Sequence, residues 1–365
     1  MSETVVCEIN GAVGCIILNR PKALNALNLE MVRSLTQALL AWRDDPAVKA
    51  VAIRGTSKTG PFGVFCAGGD IRFFHQAALA GNPELEDFFT EEYALNHLVH
   101  TYPKPTIAFM DGIVMGGGMG ISQGASHRLV TVQTKMAMPE TNIGLFPDVG
   151  GGYFLSRCPG HTGEWLALTG DAVDGPTAVA LGLADAVVDM RRLEEAWAGL
   201  ATLTFANTQE LDSWIAIFSI AAYAYSTRAR GLIDHYFALP TVTDIVHALE
   251  AATDDWAVQT AATLRKRSPL MLHVVLEQVR RGRSLTLAQD LRMERDMVRH
   301  CFTTAHLGRS GVRSETVEGI RALAVDKDHA PQWNPARIED VTADMVAPFF
   351  VSPWPVHAHP LRSLV

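Results

Sequence analysis

The sequence predicts an α/β protein with a helical C-terminal region. Short β-branched runs alternate with helix-period segments as far as about residue 190. Glycine clusters stand between a strand and the helix after it, where the backbone has to turn tightly. Beyond about Arg191 the strand pattern stops and helical periodicity continues. The 365 residues can bury a large core, and 48% hydrophobic with 19% charged residues is a globular composition. We expect a core at 1–190 holding the site, a helical region at 191–320, and a Pro-rich, aromatic tail at 321–365 packed on the body.

Thr4 to Ile9 and Val13 to Leu18 read as a hairpin across Asn10 and Gly11. After NRPKALNALN, Asn28 reads as the N-cap of a helix whose Leu29, Val32, Leu35, Leu39 and Trp42 recur at helical spacing. Lys49 to Arg54 is a third strand. In PFGVFCAGGDIRFF, Gly68 and Gly69 let backbone N–H groups approach a ligand, and Asp70 caps the helix that starts after them. Glu84 to Tyr102 is an amphipathic helix with Glu92 on its apolar stripe, where a carboxylate must be paired, neutral or bent out to water. The strand Pro105 to Met110 leads into DGIVMGGGMGIS, whose Gly116, Gly117, Gly118 and Gly120 open another helix. Such openings present unpaired N–H donors. Neither cluster matches GxGxxG at dinucleotide spacing or GxxxxGK, which excludes NAD and P-loop readings.

The chain converges on PETNIGLFPDVGGGY, Pro139 to Tyr153. Gly144 and Pro147 break any continuous helix, so a rigid turn precedes a helix starting near Val149. Glu140 and Asp148 on one loop can divide acid and base roles, because buried like charges drive their pKa values apart. The alternative is that each merely caps a turn or helix. Further on, Gly163 to Leu168 and Pro176 to Leu181 read as short helices and Ala186 to Asp189 as the last strand. Helices then come at Leu193–Thr204, Glu210–Tyr225, Ala229–Phe237, Val242–Glu250, Trp256–Lys266, Pro269–Gly282 and Leu287–Cys301.

A net charge of −8 without a Lys/Arg-rich run argues against nucleic-acid binding. No stretch reaches about 18 uninterrupted apolar residues, and MSETVVCEING has neither a signal nor a transit pattern, so a cytoplasmic location without membrane partners is expected. Five scattered cysteines without a CxxC pair read as reduced, and no metal is expected. His357 and His359 read as a solvated end.

NRPKALNALN, FCAGGDI, MGGGMGIS and MPETNIGLFPDVGGG, in this order, resemble the crotonase (enoyl-CoA hydratase/isomerase) superfamily. FPDVGGGYFLSR, EEYALNHLV and DKDHAPQWNP are most similar to its 3-hydroxyisobutyryl-CoA hydrolase branch. The resemblance spans nearly the whole chain. It implies a crotonase-like spiral of ββα units, a small acyl-CoA substrate, and no cofactor beyond the CoA carried by that substrate. It also implies an oxyanion hole from Gly69 and Gly117, with Gly68 beside it, and an acyl pocket bearing Glu92, Glu140 and Asp148. Arg20, Lys22 and Ala23 are candidates for the CoA nucleotide end, against the alternative of a solvated basic turn. Relatives often form trimers or dimers of trimers, but this branch has an altered C-terminal part, which leaves a homo-oligomer open.

Members that add water to an enoyl double bond carry a glutamate just after the GGG opening and another in the P-E loop. Here Gly120 stands at the first position and Glu140 at the second, while Asp148 replaces a small residue. That departure favours hydrolysis of 3-hydroxyisobutyryl-CoA, a step of valine catabolism by resemblance. Glu140 would act as nucleophile or as general base, with Asp148 orienting water or substrate. The competing readings are an enoyl-CoA isomerase or atypical hydratase, a non-catalytic acyl-CoA binding protein, and a Cys66 nucleophile, which no histidine in a neighbouring motif supports.

Overall fold

The computed structural model describes residues 3–222 and 227–365. Two compact units interleave along the chain: residues 1–69, 94–137 and 172–225 form the first, and 70–93, 138–171 and 226–365 the second.

The first unit holds two sheets. In the hairpin, β1 (Val5–Asn10) pairs antiparallel with β2 (Val13–Leu18). Asn28 caps α1 (Leu29–Arg43) through a bond from the Met31 amide, and β3 (Ala50–Gly55) joins β2 in parallel. The next strands are β4 (Val64–Cys66), β5 (Thr106–Met110), β6 (Ile113–Met115), β7 (His127–Val130), β8 (Lys135–Ala137), β9 (Val173–Asp174) and β10 (Ala186–Val188). From β3 to β8 they alternate between sheets: β2, β3, β5, β7 and β10 run side by side in one, and β4, β6, β8 and β9 in the other. β4, β6 and β8 pair in parallel through the segments that connect them, whereas β9 follows β8 within the same sheet and pairs with it antiparallel.

Period-two alternation explains the core of the larger sheet. Val13, Cys15, Ala50, Ala52, Ile107 and Phe109 face α8 (Leu193–Gly199) and α9 (Thr208–Ala216), where Leu193, Ala196, Leu211 and Ile215 are buried against them. Intervening residues Ile16, Val51 and Ile53 meet Leu35 and Leu39 of α1 with Leu95 and Val99. The sheet does not end at β10. Ser219–Ile220 adds β11, antiparallel to β10, and the helix expected over 210–225 stops at Ala216. Two residues are too few to show a period, so this strand left no sequence signal. Residues 223–225 of that expected helix lie outside the described residues.

The second unit is helical: α2 (Ile71–Ala80), the first part of α3 (Glu84–His100), α5 (Gly151–Leu155), α6 (Thr162–Thr169), α10 (Thr227–Phe237), α11 (Val242–Glu250), α12 (Asp255–Leu264), α13 (Pro269–Gly282), α14 (Leu287–Phe302), α15 (Glu315–Ile320) and α16 (Ala343–Val346). The remaining helices, α4 (Gly117–Gln123) and α7 (Gly175–Ala180), belong to the first unit. An aromatic cluster holds α2, α3 and α14 together, with Phe74 4.8 Å from Phe88 and 4.9 Å from Phe89, and Phe89 5.7 Å from Phe302. Thr303–Thr304 and Arg309–Ser310 form a further two-residue ladder where helices alone were expected.

The tail residues Phe349 and Leu361 are buried. His357 is exposed as expected, but His359 is not part of a solvated end. It is buried, its Nε2 lies 3.3 Å from Asp296, and its Nδ1 accepts from the Leu361 amide at 3.0 Å. No helix among the described residues is long and apolar enough to cross a membrane.

Candidate active site

In the first unit, the loop after β2 is nailed down by Asn25. Asn25 is buried at φ +56, a region an Asn tolerates better than most residues. Its Nδ2 donates to the carbonyls of Thr56, Val64 and Phe65 at 2.8, 3.1 and 3.1 Å, and its Oδ1 accepts from the Arg20 amide at 2.9 Å. Ala67 N donates to Leu24 O and Leu27 N to Gly68 O, so this loop is strapped along the segment Cys66–Gly69. Of the three CoA candidates, Arg20 spends one guanidinium N–H on Ala26 O at 2.9 Å, Lys22 is exposed, and Ala23 ends a half-buried 3₁₀ turn.

The glycines form a side-chain-free backbone patch. Gly68 has φ +104, which only glycine adopts freely, and a Cβ there would lie 3.2 Å from Met115 O and 3.5 Å from Gly117 N. Gly68 and Gly117 therefore adjoin, Gly69 is next in sequence, and Gly117 is the first residue of α4. A Cβ on Gly118 would meet Cys66 O at 2.4 Å, so only glycine lets α4 lie this close to β4. The Cys66 thiol is buried and donates to Asn25 O at 3.2 Å, as a packing residue does.

The three carboxylates belong to the second unit. Glu92 lies on α3, Glu140 opens a 3₁₀ turn spanning Glu140–Ile143, and Asp148 stands just before α5. They are 2%, 6% and 6% exposed, so Glu92 does not bend out to water. Tyr93, also buried, donates its hydroxyl to Asp148 Oδ2 at 2.8 Å. Burial, and then the charges of Asp148 and Glu140, hold the Glu92 carboxyl well above the usual range. Burial and then Asp148 do the same to Glu140. Burial pushes Asp148 up to about 7 against the opposing pull of the Tyr93 hydrogen bond. The three groups are thus one electrostatic cluster that resists carrying its full charge. Glu92 Oε1 and Glu140 Oε2 are buried without a hydrogen-bonding partner among the described residues, an arrangement suited to a polar ligand.

The supports are local and polar. Arg295 donates to Thr90 Oγ1 at 3.0 Å, and both Arg295 and Arg299 pair with Glu86, which fixes the part of α3 bearing Glu92 and Tyr93. The Glu140 turn is held by Thr316 Oγ1 donating to Gly144 O at 2.7 Å and Arg267 donating to Asn142 Oδ1 at 2.7 Å. Among the described residues no group of His, Cys, Asp or Glu is arranged to hold a metal ion. Sequence reasoning missed Tyr93, which on an apolar stripe reads as core, and Asn25, whose only signal is a turn-forming residue flanked by apolar ones.

A family model for enoyl-CoA hydratase/isomerase matches residues 13–350. The chain belongs to the enoyl-CoA hydratase/isomerase family. Within that family it is 39% identical over 359 residues to 3-hydroxyisobutyryl-CoA hydrolase 1 of Arabidopsis thaliana, covering 95% of this chain and 91% of that protein. It is 37% identical over 348 residues to the mitochondrial 3-hydroxyisobutyryl-CoA hydrolase of Xenopus tropicalis, covering 94% and 87%. A solved structure titled carnitinyl-CoA dehydratase, from Mycobacterium thermoresistibile, superposes with a TM-score of 0.87 at 37% identity over 99% of both chains. The enoyl-CoA hydratase/isomerase fold, with its crotonase-like spiral and added helical region, is the expected one.

Proposed function

We propose that this chain hydrolyses 3-hydroxyisobutyryl-CoA to 3-hydroxyisobutyrate and CoA, as a step of valine catabolism. The observation that carries the reading is the buried cluster in which Glu140 and Asp148 couple beside Glu92, with Gly120 where a second glutamate would serve water addition. The thioester carbonyl oxygen is assigned to the amides of Gly69 and Gly117, with Gly68 leaving room beside them. Such donors stabilise charge that appears only in the transition state, and losing one typically costs roughly a hundred- to thousand-fold in rate.

Glu140 then delivers oxygen to the acyl carbon. It either attacks that carbon, so that CoA leaves as thiolate and water opens the resulting anhydride, or takes a proton from water as the water oxygen adds. Asp148, oriented by Tyr93, holds water or the substrate hydroxyl. Glu92, with one oxygen unpartnered, is assigned to the same polar end of the acyl group. CoA enters as part of the substrate, and Arg20, Lys22 and Ala23 are assigned to its nucleotide end. The reading requires no metal or separate cofactor. We place the protein in the cytoplasm, consistent with five free cysteines, and fractionation tests that.

The likeness to a structure titled dehydratase favours a second reading, proton transfer or water addition on an enoyl-CoA by the single Glu140. Only hydrolysis releases thiol. Purified protein given 3-hydroxyisobutyryl-CoA, crotonyl-CoA and a 3-enoyl-CoA is expected to release thiol from the first alone. Glu140→Gln and Asp148→Asn should each lower that release by at least about a hundredfold while remaining folded. Near-normal release in both variants, or turnover of the enoyl substrates without thiol, would end the reading. Binding without turnover of any of the three would make it an acyl-CoA binding protein.

A further inference from the structure

Asp148 sits on a backbone that local preference does not account for. Val149, a β-branched residue, has φ +57, and Gly150 comes next at +92. A β-branched side chain in the left-handed region is strained and persists only where surrounding structure over-determines it.

The groups that determine it lie on α13 and α14. Gln278 Nε2 donates to Pro147 O at 2.6 Å and to Glu294 Oε1 at 3.1 Å. Glu294 accepts from Gly150 N at 2.7 Å through Oε2 and from Gly152 N at 2.9 Å through Oε1. Asp290 Oδ2 accepts from Tyr153 N at 2.9 Å. One glutamine–glutamate pair therefore grips the backbone on both sides of Asp148. Gln278, Asp290 and Glu294 are fully buried. A five-residue helix such as α5 needs no more than a local Ser or Asn cap. Two adjacent buried carboxyl groups are a costly substitute: burial drives both upward, Asp290 to about 6, and the neighbouring Asp290 charge raises Glu294 further. A requirement on the geometry of Asp148 accounts for keeping them.

We propose that Glu294, acting with Gln278, is a positioning residue for the reaction, fixing the left-handed turn at Val149 and with it the direction in which Asp148 points. The inference rests on the hydrolysis reading above. Asp148 carries the chemistry, and Glu294 acts only through it.

Glu294→Gln sets an NH₂ against one of two backbone N–H donors and relaxes the turn. With 3-hydroxyisobutyryl-CoA, kcat is expected to fall about 10- to 100-fold with KM within about twofold, and the acid limb of the kcat–pH profile to move by about half a unit or more. Gln278→Met, which frees Pro147 O, should move both quantities the same way by less, and the double variant should be no worse than Glu294→Gln. If Glu294→Gln does not fold, Gln278→Met decides alone. Unchanged kcat, KM and pH limb with only a lower Tm would make the pair a structural cap and overturn the proposal. A ligand-free readout separates this from failure of the function: carboxyl NMR of Asp148 should show a shifted titration in both variants. If the unaltered protein releases no thiol, hydrolysis is wrong, and an unmoved Asp148 titration would then sink the clamp independently.

Discussion

The Tyr93 hydroxyl donates to the buried Asp148 carboxylate at 2.8 Å. Its hydrogen bond favours the ionised carboxylate, and burial still leaves Asp148 titrating near 7. If the working form is ionised, activity rises as pH passes upward through about 7. Removing the hydroxyl takes away a contact that lowers the pKa, so Tyr93→Phe should move that limb to higher pH and cut kcat at pH 7 by about tenfold, with partial recovery at higher pH. A pH–rate profile of thiol release checks this, and an unmoved limb would show that Asp148 does not set it. Glu140 and Asp148 were legible because two acids around Gly144 and Pro147 on one short loop have little structural excuse. Tyr93 was not, because an aromatic residue on the buried stripe of α3 looks the same whether or not its hydroxyl has a partner.

Elements were read from period and caps, which are local, and so the strands β1 to β3, the Asn28 cap and the long helices α13 and α14 emerge from sequence. β11 did not, since Ser219 and Ile220 are a strand only because β10 lies beside them. His359 looked solvated because its partner Asp296 is on a helix far back in the chain. The loop after β2 shows how far a single side chain can define an element. Asn25 makes bonds to three carbonyls and one amide, which Asn25→Ala removes at a left-handed φ that alanine disfavours. At about 1 kcal/mol or more for each buried group left without a partner, the variant should lose on the order of 2–4 kcal/mol. Urea unfolding measures it. A loss below about 1 kcal/mol would mean that the Leu24–Ala67 and Leu27–Gly68 backbone bonds hold the loop unaided.

At the scale of the molecule, the mixing of strands and helices before about residue 190 was legible, but the second sheet of β4, β6, β8 and β9 was not, because strands of two or three residues show no period. The convergence of the three acids was legible only in part, since Glu92 reaches Glu140 and Asp148 through tertiary packing. That convergence is a standing cost to folding. An unfolded Asp ionises near 3.9, whereas Asp148 in the folded chain keeps its proton to about 7. Between those values the folded state binds more protons than the unfolded one, so this group makes stability fall as pH rises from about 4 to about 7, and adds no further slope above that. The full difference is on the order of a few kcal/mol, shared with Glu92 and Glu140 because the cluster titrates as a unit. Asp148→Asn keeps an acceptor for the Tyr93 hydroxyl but has no proton to lose. It should be as stable as the unaltered chain near pH 4, gain on it progressively to pH 7, and hold a constant advantage at pH 8, while losing activity. Thermal unfolding across that range tests this. A variant less stable at pH 8 than at pH 5 relative to the unaltered protein would show that the charge on Asp148 is stabilised by its surroundings, and that the cluster is not held above its usual range.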